Sequence, residues 1–391
     1  MRAAYVCTDP GIPVFGSKGA SVHVLAVLRE LVSRGTEVHL LAARTGGPMP
    51  DGLDAVHVHL LPAVPKGSPA EREQAARDSD AAVPAILDTL GPVDLLYERY
   101  SLWGRSATRW AAAAGVPSVL EVNAPLVDEQ AAHRALVGRA EAEQVAMEAI
   151  SCATATVCVS DEVAAWVRTR SPRPHVVHVV PNGVDVGRTT PSSRPVAPAG
   201  VEPLVVGFVG TLKPWHGVET LLDSLAVLDA QAPGAHRLLI VGDGPQAGAL
   251  RARAHDLGVA HLVEMTGAVA PSDVPAQLHR MDIAVAPYPA LDTFYFSPLK
   301  VYEYLAAGLP IVASSIGQIR AALDDGRLGV LVEPGSGPAL ATAIAGLSAD
   351  ADLRARLSAD ARAAAEQRHG WDRVVDRVLA TVGLDRTQVA V

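Results

Sequence analysis

One pattern, run twice, most limits what this chain can fold into. A short apolar run leads into a loop containing glycine, then an amphipathic helix, then a second apolar run. The first pass is "AAYVC", the loop "TDPGIPVFGSKGAS", the helix "VHVLAVLRELVSRG" closed by Gly35, and "EVHLLAA". Strand segments this uniformly apolar are those of parallel sheets, which helices cover on both faces. Further strands are predicted at "VDLLYE", "PSVLEVN", "ATVCVS" and "HVVHVVPNG", and residues 125–150, rich in Ala and Glu, are predicted helical. The second pass opens with "LVVGFVG", "GVETLLDSLAVLDA" and "HRLLIVG". It continues through "PQAGALRARAHDLG", "VEMTG", "PAQLHRM", "DIAVAPY" and "PIVAS" to a helical tail ending in "WDRVVDRVLATV".

Between the passes lies "RTTPSSRPVAPAGVEP", rich in Pro and Ser and without apolar periodicity. It is predicted to be an interdomain linker. A chain of 391 residues also exceeds what one core usually holds. The expected organisation is an α/β protein of two doubly wound, Rossmann-like domains facing across a cleft. The boundaries are 1–187, a linker 188–203, 204–370, and a last helical segment 371–391. In such sheets ligands bind beyond the carboxyl ends of the strands, so the loops there are where chemistry is sought.

Composition excludes several classes. A formal net charge of −9 and no long basic run disfavour nucleic acid as a partner. The three cysteines, Cys7, Cys152 and Cys158, have no CxxC spacing and suit neither a disulfide framework nor a zinc site. The start "MRAAYVCTDPGIP" lacks the apolar core of a signal peptide, and no uninterrupted apolar run reaches the ~18 residues of a membrane span. The expectation is a cytoplasmic protein. Contact with a membrane surface is left open, as is the oligomeric state.

Residues with chemistry gather at the strand ends of the second half. Gly210 follows "VGFV" and is trailed by Lys213 and His216; "IVGDGP" and "MTGAV" are two more glycine turns. Glycine lets a ligand approach the backbone, and a lysine offers a compact cation to phosphate. In "FYFSPLKVYEYLAAG" a helix is predicted with Ser297 as N-cap, Pro298 in its first turn and Gly308 at its end. Lys300 sits at the positive end of that helix, where a cation is unfavourable unless an anion binds nearby. Glu303 follows three residues on, near the same face, where it could accept hydrogen bonds from ribose hydroxyls. Alone, this helix fits a surface ion pair between Lys300 and Glu303 equally well, and Lys213 and His216 alone fit solvated loop residues. With three glycine turns at one sheet edge, a nucleoside diphosphate is the better reading.

In the order "VGFVGTLKPWHGVETLL", "LLIVGDGPQAGAL", "VEMTGAV", "SPLKVYEYLAAGLPIVAS", "GVLVEPG", the chain resembles the retaining GT-B glycosyltransferases of family 4. "PNGVD" and "GSKGASVHVLAVLRELVSRGTEVHLLA" fit too, so the resemblance covers nearly the full length. It implies a nucleotide-sugar co-substrate bound by the C-terminal domain, an acceptor site in the N-terminal domain, and a last helix returning to that domain. By the resemblance, Glu303 corresponds to the second Glu of the family's E-x7-E motif, which holds the ribose. Lys213 and His216 stand where the family has Arg and Lys facing the diphosphate. Gly267 to Val269 correspond to a backbone contact with the base. The loop 9–21 with Gly16 and Gly19, and "YERYSLW" with Arg99, are expected on the acceptor side, although an internal salt bridge between Glu98 and Arg99 explains those two residues equally well.

Two positions depart from the family. Tyr295 replaces the first Glu of E-x7-E, leaving the backbone of Phe296, Ser297, Pro298 and Leu299 to meet the donor sugar. Asn123 stands where a His is frequent; it can hydrogen-bond a sugar but not act as acid or base. The expected reaction is metal-independent transfer with retention, in which the helix N-terminus, Lys213 and Lys300 stabilise the departing diphosphate. No resident cofactor or metal is expected. The alternatives are a nucleotide-sugar-binding protein without transfer and a sugar-nucleotide epimerase. Acceptors range over polysaccharides, lipid-linked sugars and small natural products.

Overall fold

The computed structural model describes residues 1–16, 18–193, 198 and 203–384. The chain forms two compact units. The first holds Met1–Asn182, Tyr295–Ser297 and the C-terminal segment from Trp371; the second holds Gly183–Phe294 and Pro298–Gly370. The division falls at residue 182 rather than at the expected 187. The reason is local: Val184 bridges to Gly370, and its amide donates to the His369 carbonyl at 2.8 Å. Within the expected linker 188–203, residues 194–197 and 199–202 lie outside the described residues. Its first residues are tied down, because Arg362 donates to the carbonyls of Val186 and Thr189 at 3.1 and 2.8 Å.

The first unit is built on seven parallel strands. These are β1 (Arg2–Cys7), β2 (Glu37–Ala42), β3 (His57–Leu60), β4 (Leu95–Arg99), β5 (Ser118–Val122), β6 (Ala155–Cys158) and β7 (Val177–Val179). Their order is β3-β2-β1-β4-β5-β6-β7. The order of strand addition reverses between β1 and β4, which opens a crevice at their carboxyl ends. The helix Gly19–Ser33 covers one face through Val24, Leu28 and Leu31, and the helix Trp371–Ala380 packs in the same cluster through Trp371, Val374, Val375 and Val378. Each of those side chains, fully buried, contributes roughly 1.5–3 kcal/mol. Arg34 pins the last helix, reaching Asp376 at 2.6 Å and the Asp372 carbonyl at 2.9 Å.

The second unit repeats the plan with six parallel strands. They are β8 (Leu204–Val209), β9 (His236–Val241), β10 (Val263–Met265), β11 (Ile283–Ala286), β12 (Ile311–Ser314) and β13 (Val330–Val332). The order β10-β9-β8-β11-β12-β13 puts the switch point between β8 and β11. Whatever stands just past Val209 and Ala286 therefore faces a ready-made binding crevice.

Candidate functional site

Gly210 is the residue past β8. Its φ of 147° and its amide bond to the Val241 carbonyl at 3.0 Å hold the chain where a side chain would be obstructed. A Cβ there would stand 3.2 Å from Lys300 Cε, so the glycine clears a path for Lys300. The three predicted glycine turns do meet: Gly242 donates to the Gly267 carbonyl at 3.1 Å, beside the Gly210–Val241 bond. Val269, two residues further, is half-buried. Gly217 closes the loop that carries Lys213 and His216. Its φ is 66°, and a Cβ would lie 1.8 Å from the Pro287 carbonyl oxygen. Any other residue would push this loop away from the end of β11.

Lys300 is only 7% exposed. Its Nζ donates to the Tyr288 hydroxyl at 3.1 Å and lies 4.7 and 4.6 Å from the centroids of the Phe208 and Tyr288 rings. No ion pair joins it to Glu303 among the described residues, which removes the surface-pair reading. Burial pulls its pKa down from 10.5 to about 7, partly offset by the Glu303 carboxylate. The lysine thus sits near its titration point in an aromatic pocket. A bound anion would make the cation the stable form.

The helix itself runs Leu299–Ala306, starting after the expected first-turn Pro298. Pro298 is the N-cap and no side chain caps it. Ser297 does not: its Oγ accepts from the Asn182 amide at 3.3 Å, and Tyr295–Ser297 group with the first unit. Pro298 has no N–H, and no backbone acceptor serves the amides of Leu299 and Lys300 among the described residues. Two donors and the positive helix end stay open beside Lys300. One turn on, Glu303 is half-buried and, among the described residues, has no hydrogen-bond or ion-pair partner. Burial raises its pKa, against the pull of Arg188 and Lys300.

His216 is half-buried on the loop that carries Lys213. Burial, then the charges of Lys300 and Lys213, push its pKa down to about 4. It is neutral at pH 7. Its Nδ1–H donates to the Thr211 carbonyl, leaving Nε2 as an acceptor. Lys213 Nζ lies 5.5 Å from the Trp215 ring centroid. Positive charge at this site therefore comes from Lys213 and Lys300. Tyr288 was missed in the sequence; its signal was an aromatic just past a strand, in "IAVAPYPA".

In the first unit the centre is Glu121, another residue given no role from sequence. It is 2% exposed and accepts from His23 Nε2 at 2.9 Å, Arg99 at 2.9 Å, Tyr97 at 2.5 Å and the Asn123 amide. Burial alone would raise its pKa, but His23, Arg99 and Tyr97 more than offset that and hold it well below the usual range. Arg99 thus pairs with Glu121 rather than Glu98, and both Arg99 and Asn123 are committed to this carboxylate. Glu98 is the opposite case: burial, then Asp80, push its pKa up to about 8. Gly16 gives close approach to its own loop, since a Cβ would lie 2.9 Å from the Pro13 carbonyl oxygen. Gly19 opens the helix Gly19–Ser33. A cavity of 250 Å³ lies past β1 and β4, lined by Asp9, Arg72, Ser101, Trp103, Glu129 and Arg134. A larger one of 470 Å³ lies among helices, where Arg77 already stacks on Trp103 and Arg105 pairs with Glu148.

No helix among the described residues is long and apolar enough to cross a membrane. The family model described as "Glycosyltransferase Family 4" matches residues 17–188, and that described as "Glycosyl transferases group 1" matches residues 203–350. The chain is similar to proteins named D-inositol 3-phosphate glycosyltransferase. That of Stackebrandtia nassauensis is 29% identical, over 93% of this chain and 86% of the relative. That of Jonesia denitrificans is 29% identical, over 100% and 97%. Among solved structures, Anabaena HepE in complex with UDP superposes with a TM-score of 0.73 at 20% identity, over 98% of this chain and 99% of that one. A sucrose-phosphate synthase from Thermosynechococcus elongatus gives 0.70 at 19%, over 96% of each.

Proposed function

The chain belongs to the family 4 glycosyltransferases of the GT-B fold, and from that premise we propose that it moves a sugar from an NDP-sugar to a hydroxyl acceptor with retention and without a metal. One observation carries the donor assignment: buried Lys300 lies beside two unserved helix amides, one turn from unpartnered Glu303. A nucleoside diphosphate supplies what each lacks. Its phosphates take the amides and the lysine, and its ribose hydroxyls donate to Glu303. UDP is the first nucleotide to test, since it is the one named in the HepE complex.

In the reaction, the bond between the anomeric carbon and the β-phosphate oxygen breaks through an oxocarbenium-like state. Lys300, Lys213 and the helix dipole stabilise the charge that develops on the leaving phosphate. The acceptor oxygen attacks from the face the phosphate leaves, and its proton passes to a phosphate oxygen. No protein nucleophile takes part, and Asn123, held by Glu121, serves only to position groups. The acceptor belongs to the first unit, and the relatives' inositol 3-phosphate is the first candidate. The cavity there offers Arg72 and Arg134 as cations and Asp9, Glu73 and Glu129 as hydroxyl acceptors.

The test is turnover of UDP-sugars by purified protein with and without inositol 3-phosphate, in EDTA. Acceptor-dependent UDP release with an α-linked product from an α-linked donor supports the reading. Loss of turnover in EDTA, restored by Mg²⁺, would overturn the metal-free route. Interconversion of the UDP-sugar without acceptor would replace transfer by epimerisation.

A further inference from the structure

At the outer edge of the first sheet, four side chains with metal-binding chemistry occupy neighbouring positions. Glu37 and His39 alternate on β2, and His57 and His59 on β3, with His39 in register with His57. Residues two apart on a strand share a face, so all four stand together. One ligand atom each from Glu37, His39 and His57 lies within 4.8 Å of the others. We propose that Glu37, His39 and His57 bind a divalent transition-metal ion of the Zn²⁺ type, with His59 as the outer hydrogen-bond partner of His39.

The hydrogen bonds already assign the protons. His39 Nε2 lies 3.0 Å from Glu37 Oε1, and its Nδ1 3.0 Å from His59 Nε2. A carboxylate only accepts, so His39 Nε2 carries a hydrogen. In the neutral ring Nδ1 then accepts from His59 Nε2–H. When a metal ion takes His39 Nε2 and Glu37 Oε1, the Nε2 hydrogen moves to Nδ1, which then donates to His59 Nε2. The His59 hydrogen moves to its own Nδ1, with no net proton released. The far nitrogen of His39 stays fixed by His59, the arrangement that orients ligating histidines. Tetrahedral zinc with bonds of about 2.0–2.1 Å spaces its ligand atoms ~3.3 Å apart. The 3.0 Å pair need open only slightly, and exposed His57 can turn its ring to supply the third ligand, with water as the fourth.

Chemistry favours a first-row metal over Ca²⁺ or Mg²⁺, since two of the three donors are imidazoles. The Arg2 side chain contacts both Glu37 oxygens at 3.0 Å. It must yield Oε1 while keeping Oε2, which weakens the site. The ligands stand at the amino-terminal ends of β2 and β3, opposite the carboxyl ends of the same sheet where acceptor chemistry is placed, so the ion takes no part in acceptor binding.

The experiment is Zn²⁺ titration by calorimetry in two buffers, with the visible absorption of added Co²⁺ reporting geometry. The full chain is compared with His57→Ala, His59→Ala and, as control, His255→Ala, whose side chain is 86% exposed. The expected result is one Zn²⁺ per chain and a tetrahedral Co²⁺ spectrum. His57→Ala and His59→Ala should each weaken binding ~tenfold or more, and His255→Ala not at all. Equal affinity in the wild type and His57→Ala, or no saturable binding by a folded wild type, would overturn the proposal. Because His57 is exposed, circular dichroism should show its variant folded.

Discussion

Replacing Lys300 by Met tests both halves of the donor-site reasoning, because binding and stability should move in opposite directions. Met keeps the length of the chain in the pocket formed by Phe208 and Tyr288 but removes the cation. Losing a charge-assisted bond to phosphate costs ~1.5–3 kcal/mol, so donor affinity should fall about tenfold to a hundredfold. Stability should not fall. Burial lowers the lysine pKa from 10.5 to about 7. At ~1.36 kcal/mol per pH unit, the folded state bears on the order of 3–5 kcal/mol for holding the cation below pH 7. Lost cation–π contacts and one hydrogen bond offset ~2–3 kcal/mol of the gain. The variant should therefore melt at or above the wild-type temperature at about pH 6.

The pH dependence sharpens this test. The native lysine pKa is depressed, so the unfolded chain binds more protons between pH 7 and 10.5, and this group's contribution to stability improves as pH rises through that window. Donor binding runs the other way, since only protonated Lys300 serves the diphosphate. Affinity should be flat below pH 7 and fall about tenfold per unit above it, ~2.7 kcal/mol by pH 9. Calorimetry in buffers of different ionisation enthalpy should show uptake approaching one proton per donor at pH 9 and none at pH 6. An NDP-sugar carries no phosphate that titrates in this range, and His216, with a pKa of about 4, is silent there. PH-independent affinity without proton uptake in the wild type, or a strongly destabilised Lys300→Met, would refute the assignment.

Glu303→Gln should keep the melting temperature and lower donor affinity ~tenfold, since a neutral acceptor gains less per bond than a carboxylate; normal NDP binding with a much lower melting point would make Glu303 structural. Glu121→Ala should cost ~3–5 kcal/mol by leaving His23 and Arg99 buried without their anion, read as a drop in melting temperature. Because the native Glu121 pKa is depressed, its contribution is present above about pH 4.5 and lost on acidification, so the deficit should shrink at low pH. Glu98→Gln should stabilise the protein at alkaline pH by on the order of 2–4 kcal/mol. The native carboxyl titrates near pH 8 and the unfolded one near 4.5, so wild-type stability falls between those values. Urea titrations at pH 5 and 9 should show that slope vanish in the variant.

The two parallel sheets were legible in the sequence because their causes are local. Apolar runs of strand length, glycines at strand ends and helices of 3.6-residue period state what each segment does alone, and the βαβ alternation leaves few ways to join them. The lysine and glutamate three apart in "SPLKVYEYLAAG" were legible for the same reason: spacing on a helix fixes their common side. The protonation states at the site were decided by tertiary structure. Lys300 titrates near pH 7 and His216 near 4 only because Phe208, Tyr288 and two lysines converge from separate segments. The helix start was misread because the Ser297 hydroxyl accepts from an amide 115 positions earlier, a competitor no local capping rule can see. Glu121 became a hub through His23, 98 residues distant. Burial and partner choice are properties of distance in space, and sequence separation does not carry them.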